Sequence, residues 1–267
     1  MRRTPFIRWL LAPVRSSVGS TPAGSGGVLT RIVESAVGRH LPALVAYRKV
    51  EILGIAGAGK STLARLLARD PGSEMAVFIH ARQPAHLLQI LRGIPRLMPI
   101  LVAGLRRSPR INWPECKLLI YVSRWGAVLR RQTPPAVTTL VFDQGPLYAM
   151  VRLEAEAKPF TTHRAFDDWR EEMFERWANE LDTVVWLDAP DDVLWSRIND
   201  RPQGHKKKGE EAEAGRRFIE RYRRSFEDVL RRMEELGGPR VLRFDTSTAT
   251  AAQIAEKIRP TLRDRRG

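Results

Sequence analysis

The residues with the plainest chemistry lie in VEILGIAGAGKSTLARLLA, Val50 to Ala68, where Gly54, Gly59, Lys60 and Ser61 keep the spacing G-x-x-x-x-G-K-[ST]. Small residues between and after them, Ala56, Gly57, Ala58 and Thr62, keep side chains out of the way. The backbone can then curl around phosphate oxygens with its N–H groups pointing inward. In such a cradle Lys60 reaches the outer phosphates, the Ser61 hydroxyl ligates Mg²⁺, and the start of the following helix adds partial positive charge. The local context agrees, because an apolar strand-like run ends at Leu53 and Ser61 to Ala68 reads as helix. This motif names a phosphate ligand and leaves the activity open.

Two further clusters narrow the activity. TTLVFDQGP reads as a strand ending in Asp143, with Gln144, Gly145 and Pro146 turning away. In a parallel sheet, ligands sit beyond the carboxyl ends of the strands. Asp143 is therefore expected near Ser61, holding Mg²⁺ through water or accepting a proton from an attacking hydroxyl. VVWLDAPDDVLWSRINDRPQGHKKKGEE then places Arg197 and Arg201 four residues apart on one helix face, ahead of three consecutive lysines. Cations so placed suit a closing lid over residues 197–216 that neutralises charge on a moving phosphoryl group; a solvated basic loop is the alternative. No N-K-x-D or D-x-x-G follows a suitable strand and no L-S-G-G-Q-type signature occurs, which sets aside GTPases and transporter ATPases.

These residues need a frame to position them. Apolar runs at Val50–Leu53, Met75–Ile79, Thr138–Phe142, Thr183–Leu187 and Val241–Phe244 alternate with helical stripes such as Trp169/Met173/Trp177/Leu181. That alternation predicts an α/β domain over residues 47–267, a mostly parallel sheet covered by helices on both faces. Residues 83–115 fit the rhythm poorly: prolines and several arginines interrupt an apolar segment. They read as a helical insertion capping the substrate, with a membrane-surface patch as the rival. Residues 1–46 form a basic extension, with a Gly/Ser/Pro linker and an apolar helical stripe from Leu29 to Val45.

Composition sets the outer bounds. The 267 residues suffice for one sizeable domain plus an extension, and 43% apolar content suffices for a core. One cysteine, Cys116, excludes an internal disulfide and suits a reducing compartment such as the cytoplasm. The net charge of +15 is lopsided: residues 1–131 hold 21 Lys/Arg against 5 Asp/Glu, and residues 132–267 hold 24 against 25. A field of that sign attracts anions, whether acidic lipid, nucleic acid or a phosphorylated small molecule; a solvated arginine-rich surface is the plain alternative. No apolar run reaches the ~18 residues of a spanning helix. Arg8 breaks the N-terminal apolar patch, which argues against an export signal, while the acid-poor start leaves an organelle transit peptide open.

Taken in order, GIAGAGKST, LLIYVSRWGAVLRR (Leu118 to Arg131), VFDQGP, SRINDR and the closing VLRFDTSTATAAQIAEKI resemble the P-loop kinases of the thymidylate kinase and deoxynucleoside kinase group. The resemblance covers about residues 48–263. It implies the P-loop NTPase fold with five parallel strands in order 2-3-1-4-5, ATP as donor and Mg²⁺ as cofactor. It also implies that Lys60 and Ser61 hold phosphate and metal, Asp143 is the catalytic carboxylate, and Arg197 and Arg201 clamp the transferring group. Arg124 would face the acceptor, and Thr246 and Ser247 would lie near the base. Apart from the resemblance, the Leu/Ile/Val content of Leu118–Arg131 suits a homodimer face or core. One departure stands out: Gln144 occupies the position where thymidylate kinases carry an arginine for the acceptor's monophosphate. A neutral amide is a poor substitute for a bidentate cation, so the acceptor is expected to offer a hydroxyl. A nucleic-acid end as acceptor, and a nucleotide-dependent binding or regulatory module, are the other readings.

Overall fold

In the computed structural model, residues 47–76, 84–107, 113–132, 136–156, 163–200 and 212–263 are described. Outside them fall the extension at 1–46, Arg201 and the lysine loop at 202–209. The described elements are β1 (Arg48–Gly54), α1 (Lys60–Leu67), β2 (Ser73–Met75), α2 (Pro84–Arg107), α3 (Trp113–Gln132) and β3 (Thr139–Asp143), followed by α4 (Pro146–Glu156), α5 (Arg164–Glu180), β4 (Thr183–Asp188), α6 (Asp191–Asn199), α7 (Ala212–Glu235), β5 (Arg240–Asp245) and α8 (Ala251–Arg263).

All five strands form one parallel sheet in the order β2-β3-β1-β4-β5. β1 lies at its centre, pairing Val50 with Val141 of β3 on one side and with Thr183 of β4 on the other. A strand buried on both faces reads as a continuous apolar run, and Val50, Ile52 and Leu53 have no exposed surface. One face is covered by α1, against which α8 packs. The other carries α4 and α7 next to β1, with α3 and α5 against α4 and α2 against α3 and α5. This order, with the glycine-rich turn between the central strand and its helix, is the P-loop NTPase fold that the sequence resemblance implied.

Aromatic rings lock the helical layer to the sheet. Phe142, next to Asp143, meets Trp125 of α3 edge-on at 5.3 Å and Trp177 of α5 at 6.5 Å. Each such ring, fully buried, contributes about 1.5–3 kcal/mol. The indole N–H groups are not stranded: Trp177 donates to the Val122 carbonyl at 3.1 Å and Trp169 to the Ser123 hydroxyl at 2.9 Å. Phe142 is thus held between two helices, and the carboxylate that follows it leaves the sheet at a fixed point.

Within residues 83–115, the described residues 84–107 and 113–115 are helical despite the prolines among them. α2 runs for 24 residues through Pro95 and Pro99, and α3 begins at Trp113. Its Gly93 faces α3 so closely that a Cβ there would lie 3.0 Å from Cγ of Arg124. Packing against α3 outweighs the local cost of the prolines, because the buried residues Leu97, Ile100 and Ala103 all lie on that inner side.

The tightest approach in the sheet is at Gly54, the last residue of β1, which pairs with Leu187 of β4. Its φ is 152°, and a Cβ would sit far inside van der Waals contact of the Leu187 carbonyl oxygen. Both strands are central and neither can yield. Gly54→Ala is therefore expected to lower unfolding free energy by about 2 kcal/mol or more. A denaturant midpoint close to that of the unmodified protein would contradict this spacing of β1 and β4.

Candidate active site

The loop from Gly54 to Gly59 lies between β1 and α1, where the sequence placed the cradle. Lys60 opens α1 and is 7% exposed. Its Nζ donates to the Ile55 carbonyl at 2.9 Å and lies 5.7 Å from the ring centroid of Tyr148 on α4. The ammonium is thereby held at the mouth of the loop and beside the helix that follows β3. Ser61 and Thr62, in the first turn of α1, are exposed. The first turn of α1 carries no acidic residue, so the helix's positive end is left uncompensated for an anion.

Asp143 ends β3 and pairs with Ile52, two residues before Gly54. Its Oδ1 is buried, and among the described residues no donor reaches it. A buried carboxylate oxygen without a partner costs free energy unless a ligand, water or metal supplies one. The turn after it is strained: Gln144 has φ 66°, left-handed territory that costs a non-glycine residue about 1–2 kcal/mol. Strain of this kind persists only where the surroundings enforce it.

A residue that sequence reasoning missed enforces it. Glu51, on β1, is fully buried. Its carboxyl accepts from the N–H of Leu147 at 3.0 Å and of Tyr148 at 2.9 Å, and also from the N–H of Gly145. A Cβ on residue 145 would fall 2.6 Å from Glu51 Cδ, so only glycine lets the turn come this close. Glu51 therefore caps α4 from a neighbouring strand and pulls the Asp143–Gln144 turn onto the end of β1. Burial pushes its pKa up to about 8 against the opposing pull of the three N–H donors. The signal was present in the sequence as a lone acid inside the apolar run VEIL.

The other wall is built from the ends of β4 and β5. Arg197, in the last turn of α6, donates to the Thr246 hydroxyl at 2.9 Å, to the Thr246 carbonyl at 2.8 Å and to the Gly57 carbonyl at 3.5 Å. Thr246 in turn donates its N–H to the Asp188 carbonyl at 2.8 Å. Ser247 binds Asp245 through both its N–H and its hydroxyl, holding that carboxyl below its ordinary range. Arg197 thus joins the phosphate loop to the turn after β5. Arg223 of α7 completes the wall: its guanidinium binds both carboxylate oxygens of Asp188, at 2.9 and 3.2 Å, and Asp191 at 2.6 Å. Those contacts raise its pKa further above the ordinary arginine value against the cost of burial.

The structure therefore brings Gly54, Gly57, Lys60, Ser61, Asp143 and Gln144 to one edge of the sheet, with Arg197 and Thr246 beside the loop. Arg124 is half-buried on α3 with its stem against Gly93. Arg201 lies outside the described residues.

The donor set fits Mg²⁺. No cluster of three or more His, Cys, Asp or Glu exists among the described residues. A magnesium ion that keeps its waters and takes phosphate oxygens needs only one or two protein ligands, and the Ser61 hydroxyl and Asp143 carboxylate are the groups that would serve.

No family model matches the chain, and no curated protein matches it. Among solved structures it is similar to deoxyadenosine kinase from M. mycoides with bound dATP, at 17% identity over 81% of this chain and 100% of the other, with a TM-score of 0.47. It is similar to thymidylate kinase from Candida albicans at 13% identity over 81% and 91%, with a TM-score of 0.48. A third is the YorR protein from Bacillus subtilis in complex with phosphorylated GDP, at 15% identity over 80% and 95%, with a TM-score of 0.43.

Glu51 makes stability depend on pH in a definite direction. Its carboxyl titrates at its ordinary 4.5 when unfolded and at about 8 when folded, so the folded chain holds the extra proton between those values. The resulting stability is complete below the lower value and is lost as pH rises toward the upper one. Glu51→Gln should abolish that slope and cost about 1–3 kcal/mol, because its NH₂ would face a backbone N–H. Denaturant unfolding of both proteins across this range checks it, and parallel pH dependences would count against the assignment.

Proposed function

We propose that the chain is a Mg²⁺- and ATP-dependent phosphotransferase whose acceptor is a hydroxyl of a small molecule, with nucleosides the first class to test. The observation that carries this reading is the buried Oδ1 of Asp143, which no donor among the described residues reaches, at the end of β3 and one strand away from the phosphate loop. A structural carboxylate at that point would be expected to find a donor.

In the proposed reaction Asp143 accepts the proton of the acceptor hydroxyl as its oxygen bonds to the γ-phosphorus and the bond to the β,γ-bridging oxygen breaks. The N–H groups from Gly54 to Ser61 and the Lys60 ammonium bind the phosphates and offset the charge that gathers on the leaving oxygen. Ser61 and Asp143 are the residues that would hold Mg²⁺, which when bound would supply charge to offset that of the β- and γ-phosphates. Arg197 fixes the turn of Thr246 and Ser247 against the loop, giving a wall on which the base of the nucleotide can rest. Arg124 and Gln144 are proposed on the acceptor side. Gln144 supports a hydroxyl acceptor because an amide offers a neutral donor where a phosphate would call for a cation.

A panel of acceptors with labelled ATP tests this directly, using nucleosides, nucleoside monophosphates, sugars and short nucleic acids. Transfer to one of the hydroxyl compounds is expected, and Lys60→Ala or Asp143→Asn should lower turnover by about 10²–10³-fold. Turnover near that of the unmodified protein in both variants would remove the catalytic assignment. Transfer confined to monophosphates would overturn the choice of acceptor.

A further inference from the structure

α2 presents a second apolar face that the fold does not use. Leu88, Leu91, Pro95, Met98, Val102 and Leu105 recur at alternating spacings of three and four residues, which places them in one stripe along the helix. This stripe points away from the side buried against α3. Leu88, Leu91, Met98 and Leu105 are 41–54% exposed, and they are all the exposed large hydrophobic residues found among the described residues. Scattered singly over a surface, such residues need no explanation; gathered on one helix, they mark a surface that meets something. Beside the stripe lies an open recess of about 510 Å³, lined by Pro95, Met98, Pro99, Val102, Arg106 and His163 among others.

Charge decides what the stripe meets. α2 contains four arginines and no acidic residue in its 24 positions. Arg92 and Arg106 are exposed and follow Leu91 and Leu105 by one position, so they border the stripe. Arg96 is drawn to Glu172 of α5. A second copy of the chain would bring two acid-free, arginine-bearing helices together, and like charges along such a seam oppose pairing. An acidic lipid surface complements both features: leucine and methionine enter the headgroup and acyl boundary while bordering arginines reach the lipid phosphates. No described helix is long and apolar enough to cross a membrane.

We propose that α2 is an interfacial helix that seats the protein on an anionic lipid bilayer through the Leu88–Leu105 stripe and its bordering Arg92 and Arg106. The proposal is independent of phosphoryl transfer, because none of these residues is assigned to that site.

The test is co-sedimentation of the full chain with phosphatidylcholine vesicles and with equimolar phosphatidylcholine–phosphatidylserine vesicles. The unmodified protein should sediment with the acidic vesicles and not with the neutral ones. The double variants Leu91→Glu/Met98→Glu and Arg92→Ser/Arg106→Ser keep residues 1–46, so any pull by that basic segment is common to all three proteins. Each variant should lose partitioning by about tenfold or more while keeping its cooperative thermal melt. If the first fails to fold, the second, which alters only exposed charges, carries the test alone. Binding of folded variants equal to the unmodified protein, or no preference for acidic vesicles, would overturn the proposal. So would a stable dimer that Leu91→Glu/Met98→Glu dissociates in light scattering.

Discussion

Parallel pairing of β1 with β3 on one side and β4 on the other is the constraint on which the rest of the structure depends. It sets the carboxyl ends of three strands along one edge, and each then delivers a different chemical group. β1 runs into the glycine turn and Lys60, β3 into Asp143, and β4 into the Asp188–Asp191 segment that receives Arg223. Register matters as much as order. With Ile52 opposite Asp143 and Gly54 opposite Leu187, the phosphate loop begins level with the exits of both neighbours. A slip of one residue would turn Asp143 to the other face of the sheet.

Glu51 ties the first two of these groups together. Its carboxyl reaches from β1 to the first N–H groups of α4, so the strand that launches the phosphate loop also holds the turn that carries Asp143. The same bond keeps Gln144 in its left-handed conformation, and Tyr148, whose N–H Glu51 binds, places its ring beside Lys60. A buried acid is an expensive device, and the donors at a helix N-terminus offset part of its cost. On the opposite wall arginines do the corresponding work. Arg197 and Arg223 anchor the two helices on either side of residues 201–211, one to the turn after β5 and one to the end of β4.

Much of this was legible in the sequence because it is local. The spacing from Gly54 to Ser61 announces the cradle by itself, and the apolar runs announce the strands because both faces of the central ones are buried. Asp143 could be singled out since it ends a strand and precedes Gly145 and Pro146. Contacts between distant segments were not legible. Glu51 with α4, Arg197 with Thr246, and Arg223 with Asp188 join residues dozens of positions apart, and one sequence holds no record of such pairing. The two interior prolines of α2, Pro95 and Pro99, are a different case: propensity argues against a helix there, and tertiary packing on α3 and α5 overrides it. That override frees the opposite face of α2, where apolar residues and arginines remain at the surface.

The central claim is that the phosphate loop and Asp143 serve one metal-bound triphosphate, and the electron paramagnetic resonance signal of free Mn²⁺, standing in for Mg²⁺, tests it most directly. With ATP and the unmodified protein together, the signal should fall well below its level with ATP alone. Ser61→Ala and Asp143→Asn should each restore most of it. Equal capture of Mn²⁺ by the unmodified protein and Asp143→Asn would contradict the account, since the carboxylate at the end of β3 would then have no part in holding the metal.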